Sequence, residues 1–178
     1  MLRLQILILV SMASLCFSNH LFANSDKIAG LEQIHSLNLK AASNAAWAAI
    51  ESCRKKGYSV AVSVVDRGGN EQVMLRDRFA GPHTPETAFR KAWTANSFRQ
   101  HTGDLAEMLQ AGRIPNQVQH NPGALLVGGG VFIEAAGKII GAIGVSGAPP
   151  GKTEKQSIDG ACAREGIAAV QDVLDFAE

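Results

Sequence analysis

Cysteine is scarce in this chain. The 178 residues include three, Cys16, Cys53 and Cys162, with no CxxC pair. Two or three scattered thiols cannot close a four-ligand zinc or iron–sulfur site. No HExxH occurs, which removes the usual catalytic zinc site. No GxSxG occurs, and Ser146 has no histidine or carboxylate nearby in the chain, so nucleophilic hydrolysis is disfavoured. Excess charge is also lacking. Seventeen Lys and Arg stand against 16 Asp and Glu, so nothing draws the chain generally to nucleic acid or an anionic membrane. No apolar run approaches the roughly 20 residues a spanning helix needs. Internal repeats, linkers and low-complexity segments are absent as well.

The N-terminus has a different character. Arg3 is followed by an apolar stretch, densest from Ile6 to Val10 and fading towards Phe17. A basic start, a short apolar middle and a small-residue exit read as a secretory signal over residues 1–23. Cleavage is expected after Ala23, with Ser18 as the alternative. Cys16 suggests a lipoprotein, but Leu15 stands where that processing wants a small residue. Removing residues 1–23 from 178 leaves 155, one domain over residues 24–178. Arg3 is the only charged residue lost, so the mature chain is formally neutral. The expected location is periplasmic or secreted. There Cys53 and Cys162 can form a disulfide, or can pack as two small apolar thiols.

Apolar periodicity predicts a helix from Leu37 to Lys56, capped by Ser36 and stopped by Gly57. Its stripe is Leu39, Ala42, Ala46, Ile50 and Cys53. Ser59 to Val65 and Glu71 to Leu75 read as two strands around the turn Asp66-Arg67-Gly68-Gly69-Asn70. Thr84-Pro85 opens a second helix, with Ala88, Ala92, Ala95 and Arg99 on one face. Thr102 opens a short third helix that ends at Gly112, and a loop runs from Arg113 to Gly123. Ala124 to Val127, Val131 to Glu134 and Lys138 to Val145 read as three more strands, the last two joined by Ala135-Ala136-Gly137. Thr153 to Gln156 has capping-box spacing and opens the last helix. The expected buried stripe of that helix is Ile158, Cys162, Ala169, Val173 and Phe176, with Gly166 allowing close packing within it. The order α-β-β-α-α-β-β-β-α predicts an α+β domain with a five-stranded antiparallel sheet and flanking helices, of the profilin or PAS kind.

Few residues carry obvious chemistry. Gly128-Gly129-Gly130 leads into a strand rather than a helix, and no GK[ST] follows. A turn or bulge therefore fits better than a phosphate cradle. Gly141, Gly144 and Gly147 mark a strand that another backbone or a flat ligand approaches closely. Four histidines follow the signal. His83 precedes the second helix, His101 lies at a helix end where a cation suits the dipole, His120 lies in the long loop, and His35 lies in the approach to the first helix. Glu134 and Asp159 could act as general acid or base.

Several segments taken in order resemble a known family. They are Lys91-Ala92-Trp93-Thr94-Ala95, Gly128-Gly129-Gly130-Val131, Gly141 through Ala148, and Asp159 with Cys162-Ala163 and Gly166. The set resembles the GlcG/HbpS family of haem-binding or haem-degrading-type domains, from about Leu37 to the C-terminus. The resemblance implies homo-oligomers and, for some members, haem or a related tetrapyrrole. It agrees with the five-stranded sheet read from the residues.

A haem site needs an apolar slot, an axial ligand and cations for the propionates. Phe79, Phe89 and Trp93 are the candidate walls, and Arg78, Arg90 and Lys91 the candidate cations. His83 is the first candidate for the iron, ahead of His101 and His120. Thr94 and Gly144 belong to the matched segments and are candidates to line the pocket. No CxxCH exists for covalent attachment. The expected role is uptake, storage or sensing of haem, by binding rather than catalysis. The alternatives are oxidative haem degradation, or a module of the same fold for an organic acid or a cobalamin-like ligand.

Overall fold

The computed structural model describes residues 34–175 together with Gly30. The expected signal segment and Phe176 lie outside the described residues. Helix α1 spans Leu39–Lys55. Strands β1 (Ala61–Asp66) and β2 (Glu71–Arg76) follow. Helices α2 (Thr84–Phe98) and α3 (Thr102–Gln110) come next, then a 3₁₀ turn over Asn116–His120. Strands β3 (Gly130–Ala135) and β4 (Lys138–Ser146) lead through a second 3₁₀ turn, Glu154–Gln156, to helix α4 (Ile158–Asp175). Among the described residues no helix is long and apolar enough to cross a membrane.

Among the described residues the sheet has four strands in the order β2-β1-β4-β3, all neighbours antiparallel. This corrects the expectation of five. Ala124–Val127 has the aliphatic composition of a strand but pairs with none. Its backbone groups are taken elsewhere. The Leu125 N–H donates to Thr94 Oγ1 at 2.8 Å, Arg90 donates to the Ala124 carbonyl at 2.8 Å, and the Val127 N–H donates to the Leu125 carbonyl. Side chains of α2 thus satisfy the segment that a ladder would otherwise have satisfied.

Local chemistry sets the connections. Asn38, not Ser36, caps α1, accepting from the Ala41 N–H at 2.8 Å. At the other end the Tyr58 and Gly57 N–H groups bond back to the Cys53 and Arg54 carbonyls, with Gly57 at φ 83°, a glycine-terminated helix end. Ala136 and Gly137 both take positive φ, which suits a two-residue hairpin between β3 and β4. Thr153 caps the 3₁₀ turn rather than α4. The α4 cap is Ser157, whose Oγ accepts from the Gly160 N–H at 2.8 Å.

Helices cover both faces of the sheet. On one face α1 and α4 pack on Val62, Val64, Val131, Ile133, Ile143 and Val145. The α4 stripe is Cys162, Ala163, Gly166, Val170 and Leu174. The expected stripe was rotated from this one: Ala169 is exposed and Val173 is 66% exposed. Leu39, expected on the α1 stripe, is also exposed. Cys53 and Cys162 form a fully buried disulfide between α1 and α4, with Cα atoms 5.6 Å apart. On the other face α2 lies over Val65 and Ala142. It approaches so closely that a Cβ on Gly144 would stand 2.0 Å from the Ala88 carbonyl oxygen. Helix backbone therefore fills the space over Gly144.

Candidate functional site

Helix α2 carries most of the residues that the sequence marks out, and it turns them in different directions. Lys91 points inward and is 2% exposed. Its ammonium donates to Asp159 Oδ2 at 2.8 Å and to the Val145 carbonyl at 3.1 Å. Asp159, 1% exposed, accepts the Ala148 N–H on its other oxygen at 2.9 Å. Burial pushes the Asp159 carboxyl above its ordinary range, and the charge and hydrogen bond of Lys91 oppose that rise. The glycine run exists to admit this pair. A Cβ on Gly129 would stand 2.9 Å from the Lys91 ammonium, and one on Gly130 2.2 Å from the Lys91 carbonyl oxygen. The pair ties α2 to the end of β4 and the first turn of α4. Its polar atoms are engaged inside the protein, so neither a propionate nor a substrate meets them.

Thr94 is likewise enclosed, donating to the Arg90 carbonyl at 2.7 Å and accepting from Leu125. Arg90 reaches the Gly123 and Ala124 carbonyls and pins the long loop. Trp93 lies between the backbones of Gly69 and Gly123. Phe89 is half-buried against Val65, Ala92 and Ala142. Of the expected haem residues, Lys91, Thr94 and Gly144 thus lie inside the fold.

His83 stands exposed at the start of α2, and its ring lies over Gly81, where a Cβ would be 2.8 Å from Cε1. Its carbonyl, not its imidazole, caps the helix, accepting from Thr87. Phe79, 83% exposed, and Arg78, whose guanidinium lies 5.7 Å from the Phe79 ring centre, occupy the preceding turn. His35 and His120 are exposed. Among the described residues no three His, Cys, Asp or Glu side chains converge as a metal site.

A second surface lies at the open edge of the sheet. Between β3 and α4 runs a groove of about 530 Å³, lined by His101, Val131, Phe132, Glu134, Arg164 and Ile167 among others. The His101 ring stacks on Phe132 with centroids 4.3 Å apart and planes 17° apart. His101 Nδ1 is buried and has no hydrogen-bond partner. The residue sits at the start of α3, not at a helix C-terminus as the sequence suggested. A helix start favours anions, so the expected dipole support for a positive imidazole is missing.

Below the groove, sequence reasoning missed Glu154. It is 6% exposed, accepts the Gly103 N–H at 3.0 Å and pairs with Arg164. A glutamate inside a capping-box pattern gave no sign of burial. The Phe132 contact was equally hidden, because β3 shows its alternation but not what lies across from it.

A family model described as haem degrading protein HbpS-like matches residues 37–168. The crystal structure of an HbpS double mutant from Streptomyces reticuli is 39% identical. It superposes with a TM-score of 0.72 over 80% of this chain and 92% of that one. The crystal structure of a PduOC:haem complex is 29% identical, with a TM-score of 0.65 over 76% and 95% of the two chains. Protein GlcG of Escherichia coli K12 is 33% identical over 96 residues, 54% of this chain and 70% of that protein. The order of lysine, glycine-run and aspartate segments thus has its explanation in shared descent as well as in packing, and the chain belongs to the HbpS-like family.

Proposed function

We propose that this protein binds haem outside the cytoplasm, for uptake, storage or sensing. The observation that carries the reading is the PduOC:haem complex, a related chain of the same fold that holds the group. The surface between β3 and α4 offers such a group a place to lie. It has a groove with apolar walls, Val131, Phe132 and Ile167, which a macrocycle needs on at least one face. Bound haem would supply an iron centre able to carry ligands or electrons. The chain's own residues would supply an apolar wall and a neighbouring arginine, Arg164.

Titration of ferric haem into the purified protein tests this directly. A saturable shift of the Soret band near one haem per chain is expected, and no saturable change overturns the proposal. Export belongs to the same proposal and rests on residues 1–23. N-terminal sequencing of protein recovered from outside the cytoplasm should begin at residue 24. Self-assembly is supported by Trp47 and Leu39, which are 51% and 62% exposed on α1. Light scattering should then give a mass above that of one chain.

The family description favours a second reading, in which haem is consumed. With a reductant, dioxygen and catalase present, that reading expects progressive loss of the Soret band with iron release. A stable spectrum leaves binding as the function.

A further inference from the structure

We infer that the hollow between the β1–β2 turn and the end of α2 binds a phosphate-class dianion. The hollow has a volume of about 270 Å³ and is lined by Arg67, Gly68, Asn96, Ser97, Arg99 and Ile139. The first ground is charge. Two guanidiniums line this hollow and no carboxylate does. Elsewhere the arginines are engaged within the protein. Arg54 pairs with Glu51 and Asp77, and Arg164 with Glu154. Arg76 and Arg90 donate to the main-chain carbonyls of Ala80, Gly123 and Ala124. Among the described residues neither Arg67 nor Arg99 meets a carboxylate. Arg67 donates one N–H to the Ile139 carbonyl. That bond holds the guanidinium in place and leaves most of its five donors over. Two like charges facing one hollow repel, and a dianion between them removes the repulsion. The guanidinium fork also matches phosphate oxygens in pairs.

The second ground is the backbone. Arg99 takes φ 53° and ψ 40° at the end of α2, in the left-handed region where glycine ordinarily closes a helix. Helix α1 does close with a glycine, Gly57 at φ 83°. A side chain carried in this region is strained, and such strain gathers where the side chain serves a ligand. Asn96 joins the two halves of the hollow, its amide donating to the Arg67 carbonyl at 3.0 Å. Both cations therefore stand on elements already tied together. The end of a helix carries about half a negative charge, which opposes an anion. Here the Ala95 carbonyl already accepts from the Arg99 and Gln100 N–H groups, and two whole positive charges outweigh the remainder. The hollow shares no lining residue with the groove between β3 and α4, so the site is independent of the haem proposal.

Calorimetric titration of inorganic phosphate into the purified protein, in chloride buffer at mildly alkaline pH, tests the site. Saturable binding near one phosphate per chain is expected, and acetate should not compete. Arg67→Gln and Arg99→Gly should each bind at least about tenfold more weakly. Arg113→Gln, at an exposed arginine outside the hollow, should bind like the wild type. Arg99→Gly has a second readout. Glycine accepts the left-handed backbone, so the thermal midpoint should rise by about 2–4 °C while phosphate binding falls. That variant keeps the test decisive if Arg67→Gln, which also loses the bond to Ile139, fails to fold. Ferric haem should leave phosphate binding unchanged. No saturable binding in the wild type overturns the proposal, as does wild-type affinity in Arg99→Gly or equal binding of acetate. Displacement of phosphate by haem also overturns it, because the hollow would then belong to a haem seat. Failure of the protein to bind haem touches only the earlier proposal.

Discussion

The two faces of the sheet are covered in different ways. Under α1 and α4 lies a thick layer of valine and isoleucine side chains, with the Cys53–Cys162 bridge joining the two helices. Under α2 the layer is thin. Gly144 meets the Ala88 carbonyl, Val65 packs with three alanines and the partly buried Phe89 and Phe132, and one long cation runs inward to Asp159. Aliphatic layers tolerate small changes of volume by repacking. A backbone contact has no side chain to move, and a buried charge has no substitute partner. The α2 face should therefore depend on a few particular residues, and the other face on bulk and a cross-link.

The sharpest break is Lys91→Met. It leaves the Asp159 carboxyl buried without its cation, and a loss of about 3–5 kcal/mol is expected in urea unfolding. Adding Asp159→Leu should recover much of that loss, because an apolar pair replaces a charge that has lost its mate. Next is the cross-link. Replacing Cys53 and Cys162 together by alanine should cost about 2–4 kcal/mol, since the bridge spans a sequence separation of 109 residues. Gly144→Ala should cost about 1–3 kcal/mol through overpacking, whereas Ala169→Val on the exposed side of α4 should register almost no change.

The smallest effect is on pH dependence, and it distinguishes two carboxylates. Asp159 is pushed above 3.8 by burial, so the native state keeps a proton that the unfolded chain has released. Its contribution makes stability fall as pH rises from 3.8 through the raised value. Asp77 is drawn below 3.8, first by its hydrogen bond from Arg54. Its contribution is present above 3.8 and is lost as pH falls through the lowered value. Unfolding measured across this range should lose the first slope in the Lys91→Met, Asp159→Leu protein and the second in Arg54→Ala.

How legible each part was depends on whether its cause is local. Helix α1, both hairpins and the α2 start follow from periodicity, proline and turn residues, and all were readable. Ala124–Val127 was not, because its fate is decided by Thr94 and Arg90, about thirty residues earlier. The α4 stripe was misplaced for a related reason. Gly166 packs closely as expected, but Asp159 and Gly160 also face inward, and neither residue type advertises burial. Lys91 was picked out by its place in the motif, but a lysine in sequence looks solvated. Only the fold brings Asp159 within 2.8 Å of it. The cysteines could be read as a possible pair, while their meeting depends on how α1 and α4 lie against each other. His101 was noticed and ranked second, since its stacking partner Phe132 belongs to a strand the sequence could place but not orient.

The Cys53–Cys162 bridge also has a consequence in time. At about 5–20 residues per second of synthesis, Cys53 is made some 5–20 s before its partner, given their separation of 109 residues. During that interval one other thiol exists in the chain, Cys16, and it is made earlier still. A bond between Cys16 and Cys53 would tether α1 to the wrong segment before α4 exists. The cleavage after residue 23 proposed above would remove that competitor, so a single proteolytic event would both release the protein and leave Cys53 one remaining partner.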